Sequence, residues 1–239
     1  MADDNRPVQY MRYAVGEIIL VVIGILIALQ INNWNESNNN LDQVNKHLAT
    51  LKLNLQDDVK QAEKLLAVTD TALSFSNTFL DQYKTLKPVD NRVQMYMIYL
   101  MLEHNLEVNK SGINAIINSN GMVYIDEDVQ LKILNYYRHL DQLASREEIT
   151  NSDIKLMFEP YIKENYNWIY NVTNPWPRQS AFYKNDPRPV KPIDEKALLS
   201  DKQLEVMIVG RRFQSTRLRE LYLHAIILAQ EIIDDIDKE

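Results

Sequence analysis

Four arginines near the C-terminus have the residue type and spacing of an anion-binding patch. They are Arg211, Arg212, Arg217 and Arg219, and Arg212 and Arg219 lie two turns apart on one face of a predicted helix. Guanidinium groups pair with phosphates and carboxylates, so the patch could hold an anion or an acidic partner. The alternative is pairing within the chain. We favour that alternative, because 33 Asp and Glu against 26 Lys and Arg give a net charge of −7.

Catalytic and metal-binding patterns are not found in the sequence. The histidines, the usual metal ligands and general bases, are far apart at His47, His104, His139 and His224, and no His-Glu-x-x-His motif surrounds them. There is no cysteine, which excludes thiolate sites and disulfides, and no Gly-x-Ser-x-Gly nucleophile motif. Asp126 to Asp128 lack the calcium-loop spacing and fit a helix start better. We therefore predict no enzymatic activity, no metal and no cofactor.

A long connection at about 171–194 is the other candidate recognition element. It holds five of the eight prolines, together with Trp176, Phe182 and Tyr183. Long loops in compact domains are often functional, so these aromatic side chains could recognise a partner or a ligand. The alternative, which we favour, is that they order the loop by packing on the helices.

An apolar segment near the N-terminus must position everything that follows. The run from Ile18 to Leu29 is unbroken, and adding Glu17 and Gln30 extends it close to the ~20 residues that cross a bilayer. Tyr13 and Trp34 stand near its two ends, where amphipathic rings favour membrane interfaces. We predict a transmembrane helix at 13–34.

The charges that flank this segment predict its orientation. Arg6 and Arg12 precede it, and the next basic residue is Lys46. By the positive-inside rule, residues 1–12 form a short cytoplasmic tail and residues 35–239 lie outside the cytoplasm. A cleaved signal peptide is the alternative, but the stretch from Leu29 to Trp34 lacks the small residues of a cleavage site. We expect the anchor to be retained.

One face of the predicted anchor could contact a second helix. Its members fall within about 80 degrees of arc on a helix of 3.6 residues per turn. They are Glu17, Val21, Gly24, Ala28 and Ile31, and we call them the seam. Gly24 and Ala28 form a small-xxx-small pair that permits close helix approach. Small residues are also common in membrane helices without any such role.

The anchor resembles a known signature. Residues 13–36, YAVGEIILVVIGILIALQINNWNE, closely resemble the N-terminus of an uncharacterised family of bacterial single-pass membrane proteins, a domain of unknown function. A weaker resemblance covers residues 118–137, NSNGMVYIDEDVQLKILNYY, with a glycine turn and a helix ending in paired tyrosines. The resemblance implies an anchored helical protein of Gram-negative bacteria and brings no catalytic or ligand-binding residues.

Apolar periodicity predicts helices throughout the remainder. After a polar break at Asn35 to Asn40, the stripe beginning Leu41, Val44 and Leu48 predicts a long helix to about Lys84. Further helices are predicted at 91–106, at 113–118 before an Asn120-Gly121 turn, from Asp126 through Leu143, from a cap at Asn151 to about 170 with a kink at Pro160, and from a cap at Ser200 or Asp201 to Ile236. The last should pack antiparallel to the first long helix.

The sequence therefore predicts an all-α protein with one transmembrane helix and an extracytoplasmic helical bundle, in the inner membrane with its bulk in the periplasm. Its expected role is structural or interactive, and its expected partners are the lipid bilayer and either a second copy, as a homo-oligomer, or another envelope protein. Nucleic acid is not expected as a partner of so acidic a chain. The alternative is a periplasmic sensory or ligand-binding module that acts through a partner protein.

Overall fold

A computed structural model describes residues 6–86, 92–166, 187 and 194–238. Within these residues 89% are helical and there is no strand, which confirms the predicted all-α class. Trp176, Phe182 and Tyr183 lie outside the described residues, as does most of the predicted 171–194 connection.

The described helices follow one another in this order. They are α1 (Arg6–Thr85), α2 (Val93–Leu100), α3 (Ser111–Asn118), a 3₁₀ turn (Gly121–Tyr124), α4 (Glu127–Asp153), a π-helical turn (Ile154–Phe158), α5 (Glu159–Asn165), α6 (Glu195–Ser200) and α7 (Lys202–Ile236). The chain divides into two compact units. Unit 1 comprises Met1–Leu51 and Ser111–Asp126, and unit 2 comprises Lys52–Lys110 and Glu127–Glu239.

The predicted polar break at Asn35 to Asn40 is wrong, because α1 continues through it as a helix. Those residues include neither Gly nor Pro. Asn and Ser cost only a few tenths of a kcal/mol each in a helix interior. Since strong helix formers lie on both sides, propagation across the polar stretch costs less than two new helix ends.

Unit 1 packs α3 and the 3₁₀ turn on the part of α1 that follows the apolar segment. Val44 and Leu48 of α1 are buried, as is Ile116 of α3. Asn120 has a left-handed backbone, φ 54°, which turns the chain as predicted. A Cβ at Gly121 would lie 2.7 Å from Val44 Cγ2, so only glycine permits this close approach.

Unit 2 pairs the C-terminal half of α1 with α7. Contacts nearer the N-terminus of α1 are made to residues nearer the C-terminus of α7, and the two positions shift by the same number of residues from one pair to the next. The pairs are Asn77 with Arg212, Asp70 with Arg219, and Lys52 with Asp237. Because the register holds over seven turns, the two helices are antiparallel, which confirms the prediction.

A third long helix, α4, also runs antiparallel to α7. Lys132 near its start pairs with Asp235, and Arg146 near its end donates to Gln214 at 3.1 Å. The Tyr136 hydroxyl of α4 donates to Asp58 of α1 at 2.9 Å. Unit 2 is therefore built on three long helices.

Two predicted helix boundaries in unit 2 are wrong. The second helix ends at Leu100 instead of 106, and residues 102–110 are not helical. Asn151 is no cap, since α4 passes through it to Asp153 and continues as the π-helical turn into α5. The widened turn just before Pro160 absorbs the hydrogen bond that proline cannot donate. The cap at Asp201 is confirmed, because its carboxylate accepts from Leu204 N at 3.0 Å.

Candidate functional site

The five seam residues lie on the N-terminal part of α1 and are all exposed within the chain. A Cβ added at Gly24 would meet nothing within 4 Å. Apolar residues on the opposite face are equally open, such as Leu26 at 59% exposure. Within the described residues, this is the one helix long and apolar enough to cross a membrane by length and composition, and none of its apolar window is buried.

Three of the four C-terminal arginines lie on the surface with partners inside the chain. Arg212 Nε donates to Asn77 Oδ1, and Arg219 Nε donates to Asp70 Oδ1, each at 2.6 Å. Arg217 pairs with Glu220, one turn along α7, also at 2.6 Å. The structure does not bring these three guanidinium groups together at one point. Their arrangement is the pairing within the chain that the sequence left as the alternative.

Arg211 differs from its three neighbours because its side chain is only 1% exposed. Its Nε donates at 3.0 Å to the carbonyl of Leu100, the last residue of α2, and so caps the negative end of that helix. Its Nη1 forms an ion pair with Oδ2 of Asp153 at 3.8 Å, a distance too long for a hydrogen bond. Burial lowers the pKa of Arg211 to about 10.

The non-helical segment 102–110 is held on one side by side chains of α4. Asn151 Oδ1 accepts from His104 N at 2.9 Å, and Asn151 Nδ2 donates to His104 O at 2.6 Å. The Glu147 carboxylate accepts from Leu106 N at 3.1 and 3.2 Å. These contacts supply backbone partners that a helix would otherwise provide.

Side chains of α1 hold the same segment from its other side. Gln61 Nε2 donates to the carbonyl of Glu107 at 3.1 Å, and the Asp58 carboxylate accepts from the backbone of Asn109. The segment is thus fixed between α1 and α4 by two carboxylates and two amides. Its conformation depends on side chains that lie far away in the sequence.

Burial shifts the pKa values of the ionisable groups around this segment. Asp58 is 2% exposed, and desolvation raises its pKa to about 6 although Tyr136 donates to it. Desolvation also raises the pKa of Glu147, which accepts from the Tyr222 hydroxyl at 2.5 Å. Desolvation, aided by the charge of Arg211, lowers the pKa of His104 to about 4. His104 is therefore neutral at pH 7.

This buried polar core can position backbone and transmit changes in protonation. Its carboxylates are engaged by tyrosines and backbone amides, and in the described part of the chain no three His, Asp or Glu side chains are grouped to hold a metal. The sequence analysis did not single out Asp58 or Glu147, and it interpreted Asn151 only as a helix cap. The sequence pattern that could have indicated them is a polar residue at a position where helical periodicity predicts a buried apolar one. Glu147, one turn after Leu143, is an example.

Comparison with known proteins places the chain in one family. No curated protein and no solved structure matches it. A family model does match residues 17–138, which is half of the chain. The match includes the seam, Asp58 and segment 102–110, whereas Glu147 and the four arginines lie beyond it. The chain belongs to DUF6090, a family of unknown function.

Proposed function

We propose that this protein is a membrane-anchored structural or interaction protein of the bacterial envelope that self-associates through the seam. The observation that carries the proposal is the exposure of the whole apolar surface of α1 from Ile18 to Leu29. Each Å² of apolar surface left in water forgoes about 25 cal/mol. A surface of this length is stabilised by hydrocarbon around it, and its residue count suits one crossing of a bilayer.

The flanking charges set the proposed topology. Arg6 and Arg12 keep the N-terminus in the cytoplasm, and the remainder of the chain enters the periplasm. Glu17 stands at the cytoplasmic end of the apolar run, where a carboxylate can reach the headgroups or face a second helix. The residues after the anchor are thus held at the inner membrane by a single transmembrane helix.

Self-association follows from the composition of the seam. Gly24 and Ala28 are one turn apart, and a Cβ at Gly24 would have open space around it. In a lipid bilayer the hydrophobic effect does not drive helices together, so they associate through van der Waals contacts and hydrogen bonds. Small residues favour these contacts because they let two helix backbones approach closely. A second copy is therefore the proposed partner of this face.

Cross-linking in native membranes tests the proposal. We expect the full-length protein to give a defined cross-linked oligomer that Gly24→Ile weakens, because the larger side chain blocks close approach. Gly16→Ile is the matched control, since Gly16 also has open space but lies outside the seam. Glu17→Leu tests the polar member separately. If both Gly24→Ile and Glu17→Leu leave the cross-linked oligomer unchanged, the seam is not the interface.

A sensory or ligand-binding module acting through a partner protein is the second candidate. One observation favours it, namely a buried arginine with polar groups beside it that make no hydrogen bond among the described residues. Ligand-dependent thermal stabilisation of a monomeric protein would support this role over the structural one.

A further inference from the structure

Seven side chains in unit 2 have a buried atom that makes no hydrogen bond with any described residue, and four of these side chains share one stretch of the core. These four are Thr150 and Ser215, each 0% exposed, and His104 and Arg211, each 1% exposed. The unpaired atoms are Thr150 Oγ1, Ser215 Oγ, both ring nitrogens of His104, and Arg211 Nη1. An unpaired buried polar group costs about 1 to 3 kcal/mol, so a cluster of this size requires an explanation.

The four side chains share one stretch of the core between α4, α7 and segment 102–110. Arg211 and Ser215 are one turn apart on the buried face of α7. Along α4, Thr150 lies midway between Glu147, which contacts Tyr222, and Asp153, which faces Arg211. The antiparallel register therefore puts Thr150 beside Ser215.

His104 approaches the same stretch from segment 102–110. Its ring centroid lies 6.3 Å from that of Tyr222, and the charge of Arg211 acts on its imidazole. Asn151 holds its backbone on both sides, which fixes where the ring can reach. The imidazole therefore stands between the Tyr222 and Arg211 ends of this stretch.

The chemistry of the cluster is that of an anion site. A buried guanidinium needs a counter-charge, and the Asp153 carboxylate is 3.8 Å away without a hydrogen bond. The two hydroxyls and one imidazole nitrogen can each donate a hydrogen bond. The neighbouring Glu147 carboxylate is already engaged by Tyr222 and Leu106. What the unpaired atoms of the four groups lack is one hydrogen-bond acceptor that they can share, since Asp153 reaches only Arg211 among them, and at ion-pair distance.

We propose that Arg211, Ser215, Thr150 and His104 form a buried binding site for a small monovalent anion of the size of chloride. The anion adds a hydrogen-bonded counter-charge to Arg211, whose ion pair with Asp153 is long at 3.8 Å, and accepts from the hydroxyls at the same time. Only a small anion fits this description, because all four side chains are within the core. This site differs from the surface patch that the sequence predicted, since Arg212, Arg217 and Arg219 take no part in it.

Thermal unfolding of the full-length protein in detergent tests the site. Sodium chloride is compared with sodium gluconate at equal ionic strength, because gluconate is too large for a core site. We expect the melting temperature to be higher in chloride than in gluconate. At chloride concentrations well above the dissociation constant, it should rise linearly with the logarithm of the chloride concentration. The same melting temperature in both salts would overturn the proposal. Internal water molecules would then be the partners of the unpaired groups.

Matched variants locate the effect. Ser215→Ala and, independently, Thr150→Val should each lose most of the chloride-dependent shift. The control is Thr216→Ala, one residue along α7, whose hydroxyl donates to the carbonyl of Arg212 in its own helix. It should keep the full shift. A shift that survives in both Ser215→Ala and Thr150→Val would refute this location.

A second readout follows His104 directly. Nuclear magnetic resonance gives the pKa of its ring, identified by the signal lost in His104→Asn. A bound anion favours the imidazolium form, so the pKa of His104 should be higher in chloride than in gluconate. Equal pKa values in the two salts would place the anion away from His104 and contradict the proposed site.

Discussion

Asp58 and His104, two buried groups at segment 102–110, have pKa shifts that change the stability of the fold with pH in opposite directions. The pKa of Asp58 is about 6 in the folded chain against an ordinary value of 3.8. The folded chain therefore holds more protons between these values, and its stability falls as the pH rises through them. The pKa of His104 is about 4 against an ordinary 6.5, so its contribution rises with pH over nearly the same interval.

Each shift is about two pKa units, which corresponds to about 3 kcal/mol at 1.36 kcal/mol per unit. For Asp58 this is an upper limit, because water that reaches the carboxylate screens the effect. Asp58→Asn removes one of the two titrations. The free energy of unfolding of the wild type, minus that of the variant, should therefore fall by up to about 3 kcal/mol from pH 4 to pH 6.5.

Urea unfolding of the full-length protein in detergent, followed by far-ultraviolet circular dichroism at fixed chloride, measures this difference. Subtracting the variant cancels groups that the substitution leaves alone, including Glu147. His104→Asn is the mirror control, and its difference should rise by about 3 kcal/mol over the same pH interval. A difference for Asp58→Asn that stays flat with pH would refute the burial assigned to this carboxylate.

Three further substitutions have outcomes set by a few local contacts. Gly121→Ala should lower the free energy of unfolding by about 1 to 3 kcal/mol, because its Cβ would lie 2.7 Å from Val44 Cγ2, and Val44→Ala in the same chain should restore part of the loss. Asp201→Ala should cost at least about 1 to 2 kcal/mol in urea unfolding, because it removes the N-cap of α7 and also the acceptor of the Tyr161 and Tyr166 hydroxyls, whereas Asp201→Asn should cost less. Arg219→Ala should change the melting temperature little, since the exposed pair with Asp70 is worth about 0 to 1 kcal/mol, and a large loss would show that this pair is shielded from solvent.

The long helices could be predicted because their signals are local. The stripe from Leu41 gave the end of α1 to within one residue, Lys84 against Thr85. Asp201 had the residue type and position of an N-cap, and Asn120-Gly121 had those of a turn. Each signal depends on residues within a few positions of one another. None requires knowledge of which helices become neighbours.

Segment 102–110 could not be predicted, because its partners are distant in sequence. The side chains that satisfy its backbone lie 41 to 51 residues away, at Glu147, Asn151, Gln61 and Asp58. Apolar periodicity continues through the segment, so it reads as the end of α2. Asn151 has the residue type of a helix cap, yet its amide serves the backbone of His104 and α4 continues past it.

The burial of Arg211 could have been predicted from its position in the helical repeat of α7. Leu204, Ile208, Ser215 and Leu218 lie on the buried face of α7, and Arg211 falls in phase with them, unlike Arg212 one residue later. Grouping the four arginines by proximity in sequence missed that distinction. The burial of the groups that surround Arg211 depends on α4 and segment 102–110, and no local pattern indicates it.

The anchored topology is tested most directly by thiol labelling, because the chain has no cysteine of its own. Single cysteines at Asp3, in the tail, and at Ile227, which is 53% exposed on α7, are treated in cells with a reagent that crosses only the outer membrane. With the proposed topology, Ile227→Cys is labelled in intact cells and Asp3→Cys only after the inner membrane is broken. Labelling of Ile227→Cys only after lysis would contradict the proposed anchor.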